Sequence, residues 1–317
     1  MIVFEDIKED LMTILSLLKK NGISGFGYGS TAEQVTEGLD LTGQTYLITG
    51  CNSGLGLETL RVLSKRGATI IALARTTEKG QSALEMHAAK GQAIECELSE
   101  PSSVRACIQT IKEQELIIDA MICNAGIMAL PKPVIHHGHE LQFWTNHIGH
   151  SMLVLGLLDS LADDGRVVIL SSSAHKRTYK EGIRFNDLAA QKGYSAWGAY
   201  GQSKLANLLF AKHLAKKFEG TKKTANAVHP GVISTNLGRH INSTFILLFK
   251  AVGRLFLKTI PQGAATQCYV AVHPNTASIS GKYFADNNIA NTSKYGQDEA
   301  LAEKFWLATE EILATID

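Results

Sequence analysis

The sequence predicts a single doubly wound α/β domain, a parallel sheet of about seven strands flanked by helices, preceded by an N-terminal helical extension. Three observations predict it. Short apolar runs alternate with helical patterns from Gln44 to Ala227, a glycine-rich turn joins the first run to the first helix, and no Pro/Ser/Gly linker or repeat interrupts the series. At 317 residues, 45% of them hydrophobic, the chain can bury a full core. Residues 1–40 read as the extension and 41–317 as the domain.

In the extension, Ile7, Leu11, Ile14, Leu15 and Leu18 have helical spacing, and Lys19 to Gly22 reads as the stop. Glu5, Asp6, Glu9 and Asp10 share its polar face with lysines, which favours docking on the domain over a membrane anchor. The first strand follows from Gln44 and runs into Gly50, Gly54 and Gly56, after which Leu57, Leu60 and Leu63 set a helix. This is a G-x-x-x-G-x-G turn, not G-x-G-x-x-G. Glycine permits positive φ and close approach, and the helix start offers N–H groups and a dipole to a pyrophosphate. Gly50, Asn52, Ser53, Gly54, Leu55 and Gly56 are therefore expected to hold one.

The second apolar run, Ala68 to Arg75, ends about 20 residues past the glycines, where an NAD-binding fold places an acid for the ribose 2′-hydroxyl. Here the end carries Ala74 and Arg75. A guanidinium there suits a 2′-phosphate and no carboxylate is in view, so NADP(H) is the expected cofactor; Glu78 is the alternative ribose partner if the turn is tight. Two further runs, Leu116 to Gly126 and Arg166 to His175, read as buried parallel strands. Their carboxyl ends carry Asn124, Ala125, Gly126 and Ser171, Ser172, Ser173, on the side of the sheet where ligands bind. Downstream, Tyr200 and Lys204 are four apart on one helical face, a phenol beside an ammonium whose charge favours the phenolate.

From about Leu41 to the C-terminus the chain resembles the short-chain dehydrogenase/reductase family. The resemblance rests on Thr49-Gly-Cys-Asn-Ser-Gly-Leu-Gly56 as its T-G-x-x-x-G-x-G turn, Cys123 to Gly126 as its N-N-A-G segment with the first Asn replaced, and Tyr200 to Lys204 as its Y-x-x-x-K. It implies a Rossmann-type fold and four catalytic residues: Asn146, Ser172, Tyr200 and Lys204. In that scheme Tyr200 is the acid, Ser172 bonds the substrate oxygen, Lys204 lowers the Tyr200 pKa and binds the nicotinamide ribose, and Asn146 holds a water that passes the proton to solvent. It also implies that Asn124 holds the strand-end turn, that Glu97 and Leu98 flank the adenine where Asp is usual, and that Pro230, Gly231, Val232 and Thr235 reach the nicotinamide or phosphates. Asn146 to His150, Ser172 to His175, the long Ser172-to-Tyr200 interval and Glu303 to Trp306 resemble the retinol dehydrogenase and WW-domain oxidoreductase branch, which favours lipophilic alcohols and aldehydes. Gly27 to Gly38 resembles the lead-in of a plant relative associated with chloroplast protein import, so membership leaves the substrate open.

The segment 236–260 is apolar with interspersed basic residues. It reads as a substrate lid with Phe245, Leu248, Phe249 and Leu255 inward, as packing against the sheet, or as a surface touching lipid. No run approaches about 18 apolar residues and no signal-peptide pattern follows the N-terminus, so a cytoplasmic protein is expected. A net charge of +1 offers no nucleic-acid footprint. The five cysteines are odd in number and lack metal-like spacing, which suits reduced thiols, although Cys51 at a helix start could sense oxidants. His136, His137 and His139 read as a solvated loop and no metal is expected; His147, His150 and His175 read as structural. The sequons at Asn242 and Asn291 mean little without a secretory signal.

The expected activity is hydride transfer between NADP(H) and a small lipophilic carbonyl or alcohol, retinoid-, steroid- or long-chain aldehyde-like. An NADP(H)-sensing interaction protein is the alternative, with an extended-branch epimerase or dehydratase third. Peripheral membrane contact and a homodimer stay open.

Overall fold

The computed structural model describes residues 19–233 and 257–316. The helical pattern of residues 5–18, Thr235 and all but the last four residues of the expected lid lie outside them. Eight strands form one sheet: β1 Thr45–Thr49, β2 Thr69–Ala74, β3 Gly91–Glu95, β4 Ile118–Cys123, β5 Leu161–Leu170, β6 Thr224–His229, β7 Tyr283–Ala285 and β8 Asn288–Ile289. Their order is β8-β7-β6-β5-β4-β1-β2-β3. The first seven are parallel, with Leu47 of β1 opposite both Ile71 and Met121. The eighth is antiparallel to β7 and was not foreseen. Asp286 and Asn287, with φ of 51° and 62°, make the two-residue turn between them, a geometry that suits Asp and Asn and matches the twist of a hairpin.

Alternation along the strands feeds two apolar layers, because successive side chains leave opposite faces of a sheet. Tyr46, Ile48, Ile70, Ala72 and Val168 pack with α1 (Gly54–Lys65) and α6 (Ile260–Val272). Leu47, Ile71, Met121, Val167 and Ile169 face the other way, onto α3 (Pro101–Glu113), α4 (141–156), α5 (Ala196–Lys217) and α7 (Glu299–Ala314). Here α4 is a composite rod of Leu141–Phe143, a π-helical turn Trp144–Ile148 and Gly149–Gly156. Between β2 and β3 lies α2 (Thr77–Met86). Each fully buried Leu or Ile contributes about 1.5–3 kcal/mol, so both faces of the central strands are strongly specified.

The chain winds outward from β1 through β2 to β3 and then returns to β4 on the opposite side of β1. Connections leave β1 and β4 in opposite directions, which opens a crevice over their carboxyl ends. Residues 19–40 pack on this body. Thr31 starts the short helix Ala32–Val35 through a capping box with Gln34, Glu33 pairs with Arg61 of α1 at 2.6 Å, and Gln262 of α6 donates to Gly29 O at 3.3 Å. Asn287 donates to Gly27 O at 3.0 Å, tying the same segment to the β7–β8 turn.

One close approach fixes how α4 meets β3. A Cβ on Gly149 would lie 2.2 Å from Leu98 O, inside any tolerated contact with backbone. Gly149→Ala is expected to destabilise the fold by about 2 kcal/mol or more through overpacking. Thermal denaturation against the parent checks this, and an unchanged Tm would contradict the packing.

Candidate active site

The carboxyl ends of β1, β4, β5 and β6 bring the sequence-predicted groups to one edge of the sheet. At the end of β1, Gly50 (φ 65°) and Gly54 (φ 55°) take backbone that favours glycine. A Cβ on Gly56 would lie 2.2 Å from Gly50 O, whereas one on Gly54 would meet nothing within 4 Å. The turn is thus closed toward the protein and open on its outer face. Ser53 makes no side-chain capping bond, so the first N–H groups of α1 remain available to an anion. This cradle fits the pyrophosphate of a dinucleotide.

Thr49 binds the neighbouring strand end to that turn. Its Oγ1 accepts the backbone N–H groups of Asn124 and Ala125, each at 2.9 Å, and Asn124 Nδ2 donates to Thr49 O at 2.9 Å. With its oxygen so used, the Thr49 proton points to His150 Nε2, 2.8 Å away. The imidazole proton then sits on Nδ1 and donates to Asn146 O at 3.0 Å. Burial drives the His150 pKa down to about 4, so the ring stays neutral in this chain of bonds.

Asn146 lies in the π-helical turn of α4, an irregularity that recurs at functional sites. Its Oδ1 accepts from Ile127 N at 2.8 Å, and Nδ2 donates to Ile127 O at 2.9 Å and Ser203 Oγ at 3.0 Å. Both amide protons are therefore occupied by protein partners. Ile127 and Ser203 were missed by sequence reasoning. Ser203, one turn from Tyr200 and donating to Tyr200 O at 2.8 Å, carried a signal in its i+3 spacing.

Tyr200 and Lys204 occupy one face of α5, with the ammonium 5.7 Å from the ring centroid. Tyr200 is partly exposed, and burial pushes its phenol up to about 12, offset in part by the Ser172 hydroxyl. Lys204 is not among the groups that offset this rise. Its Nζ instead donates to Leu170 O at 3.0 Å, and burial brings the amine down to about 8. An ammonium has three donors, of which Leu170 takes one, so the buried group suits a hydroxyl-bearing ligand. A Cβ on Gly126 would stand 3.0 Å from Asn146 Oδ1 and 3.5 Å from Lys204 Nζ, which places that glycine directly against both groups.

Pro230, Gly231 and Val232 follow β6 beside Ser172, and Ser173 N donates to His229 Nδ1 at 3.3 Å. Gly231 (φ 98°) lies against the methylenes of Lys258, whose Nζ is buried 2.8 Å from Asp286 Oδ1. At the other end of the crevice Arg75 is exposed just past β2. The expectation of no carboxylate nearby is corrected: Glu97 Oε2 is 3.8 Å from Arg75 Nε, because β2 and β3 are neighbours and their ends converge. Glu97 also accepts from Ser99 N and Oγ, and Leu98 is buried beneath it. Asn52 lines a shallow pocket of about 220 Å³ with Glu78 and Lys79. Lys79 was not singled out from the sequence.

Cys51 is buried against Leu73 O, and desolvation pushes its thiol up to about 12, which removes the oxidant-sensing idea. His136 and His139 pair in a two-residue hairpin ahead of α4, where Glu140 caps the rod by accepting from Phe143 N. His136 and His137 do converge with Glu100, His136 Nε2 lying 3.4 Å from Glu100 Oε1, yet that nitrogen is also engaged with Ser99 O at 2.8 Å. No helix among the described residues is long and apolar enough to cross a membrane.

A family model described as short chain dehydrogenase matches residues 44–245. The chain belongs to the short-chain dehydrogenase family. This dehydrogenase is 44% identical over 301 residues to the short-chain dehydrogenase TIC 32 A, chloroplastic, of Brassica napus, covering 90% of this chain and 94% of the relative. It is 38% identical to retinol dehydrogenase 14 of Homo sapiens, covering 84% and 85% of the two chains. Among solved structures, an uncharacterized protein from Mycobacterium Paratuberculosis superposes with a TM-score of 0.73 at 32% identity, covering 89% of this dehydrogenase and 97% of that chain. Family membership makes it an oxidoreductase that uses a nicotinamide cofactor and acts on alcohol or carbonyl groups.

Thr49→Val keeps the shape of the dehydrogenase's turn and deletes the oxygen that joins β1, β4 and His150. Affinity for nicotinamide dinucleotide by titration calorimetry is expected to fall at least about tenfold, with Thr49→Ser close to the parent.

Proposed function

We propose that this chain is an NADP(H)-dependent carbonyl reductase or alcohol dehydrogenase acting on a lipophilic substrate. The observation that carries the reading is the meeting of Tyr200 with Ser172, and of Lys204 and Asn146 with Gly126, at the carboxyl ends of the strands that also carry the glycine cradle. Gly50, Asn52, Ser53, Gly54, Leu55 and Gly56 would hold the pyrophosphate, with Asn124 and Ala125 beneath the ribose and Glu97 and Leu98 at the adenine. Pro230, Gly231, Val232 and Thr235 would serve the nicotinamide end.

When bound, the nicotinamide supplies the hydride in reduction and takes it up in oxidation. Ser172, which faces the Tyr200 phenol, would turn its one proton to the substrate oxygen, so the two hydroxyls share one target. Tyr200 gives its proton to that oxygen as negative charge grows there, which is general acid catalysis. A phenol held near 12 stays protonated at neutral pH, as an acid for carbonyl reduction should. Lys204 would bind ribose hydroxyls and, once drawn from Leu170 O, would oppose the charge left on the phenol. Asn146 acts through its carbonyl, which His150 orients and which would hold a water on the path to solvent.

Arg75 supports NADP(H) through its exposed guanidinium at the ribose end, where a 2′-phosphate would compete with Glu97 for the same charge. The relatives named retinol dehydrogenases support a lipophilic substrate. Five buried, unpaired thiols fit the expected reducing, cytoplasmic setting, whereas the Brassica napus relatives are named chloroplastic; fractionation of a tagged chain decides between the two.

A screen of retinoid, steroid and long-chain carbonyls and alcohols, followed at the nicotinamide absorbance, tests the activity. Tyr200→Phe should lower turnover by about 10²- to 10⁴-fold while leaving cofactor affinity within about twofold. Normal turnover by that variant sinks the assignment. Arg75→Ala should reduce the preference for NADPH over NADH, read as a ratio of kcat/KM, by about 10- to 100-fold.

A further inference from the structure

His175 follows Ser172 by three residues and is fully buried in the 3-10 turn Ser173–Arg177. A neutral imidazole offers one donor and one acceptor. Ser293 N lies 3.1 Å from its Nε2, and a backbone N–H only donates, so Nε2 is the acceptor and the proton sits on Nδ1. That proton has Ser172 O as its partner at 2.6 Å. Tyr283 of β7 stands edge-on to the ring with centroids 5.0 Å apart, which limits reorientation. The imidazole therefore spans from the Ser172 turn to the short helix Lys294–Gln297, which Ser293 caps by accepting from Gly296 N.

That short helix rests on α5. A Cβ on Gly296 would meet Leu208 Cδ2 at 2.5 Å, and Lys212 donates to Gln297 O at 2.8 Å. On the same face, two turns earlier, α5 meets the Ser172 turn directly, since a Cβ on Gly201 would lie 2.7 Å from Ala174 O. The hydroxyl of Ser172 accepts from Ala174 N at 3.2 Å, which leaves its proton for the Tyr200 phenol. The aim of that proton depends on the turn whose carbonyl His175 holds.

We propose that His175 is the positioning residue for Ser172, and that the backbone N–H of Ser293 holds the imidazole in the orientation and tautomer that make this work. The C-terminal segment thus enters the site through one N–H group. The role rests on the reading of Ser172 as hydrogen-bond donor to the substrate oxygen.

Replacing His175 risks the fold, so the test removes the N–H instead. Ser293 has φ −68°, which proline adopts, so Ser293→Pro deletes the donor at a compatible position, while Ser293→Ala deletes only the capping hydroxyl. Each full-length variant is assayed with decanal and NADPH, and the His175 tautomer is read from imidazole ¹⁵N–¹H correlation spectra. Ser293→Ala should keep the Nδ1–H signature and kcat within about twofold of the parent. Ser293→Pro should shift the Nε2 resonance and broaden or weaken the Nδ1–H signature, and lower kcat on the order of tenfold, with KM for NADPH unchanged. A proline variant matching the alanine variant in both kcat and spectrum overturns the proposal and leaves the hydride-transfer reading standing. A parent inactive on decanal and on the wider carbonyl screen overturns that reading, and with it the catalytic purpose of the clamp, whatever the spectrum shows.

Discussion

The hydroxyl of Thr49 is the junction on which the rest of the site depends. It accepts two backbone N–H groups from the end of β4 and donates to His150, so a single oxygen fixes the phosphate turn, the Asn124–Gly126 segment and the π-helical turn of α4 relative to one another. Each bond has one possible direction once the first is assigned, because backbone N–H groups only donate and a hydroxyl has one proton. A buried network satisfied in this way is rigid, and the cost of breaking one member is the desolvation of the others.

The same burial that makes these bonds firm also sets the ionisation of the reacting groups. Desolvation holds His150 and Lys204 low and Tyr200 high, in each case favouring the uncharged form. For His150 neutrality preserves a donor and an acceptor. For Tyr200 it keeps the phenol protonated, as the proposed acid requires. Lys204 sits between, close enough to neutral pH that a polyhydroxyl ligand or a nearby negative charge would decide its state. Positive charge here serves the site through what it contacts, and proximity to Tyr200 along the helix is only the precondition.

Much of this was legible in the chain. Short apolar runs alternating with helical patterns gave the parallel sheet, and the reading of β4 and β5 with small polar residues at their ends placed Asn124, Gly126 and Ser172 at the carboxyl edge of the sheet. The glycine spacing was equally readable, since Gly56 meets Gly50 O within one local turn. The antiparallel strand β8 escaped notice because two residues carry no periodicity, although Asp286 and Asn287 were a turn signal. Glu97 beside Arg75 escaped for a different reason: the two are 22 positions apart and meet only because β2 and β3 pair in register.

What the sequence by itself determined was therefore the local and the periodic: which segments become strands, which turn admits an anion, and which helix face carries Tyr200 and Lys204. Only the tertiary structure decided how those parts act on one another. It directed Lys204 to Leu170, saturated the Asn146 amide with Ile127 and Ser203, and made His150 and His175 into braces of fixed tautomer. The physical reason is that hydrogen-bond direction and pKa depend on partners and burial contributed by distant segments, and a linear pattern specifies the groups present without specifying which of them will share a dry interior.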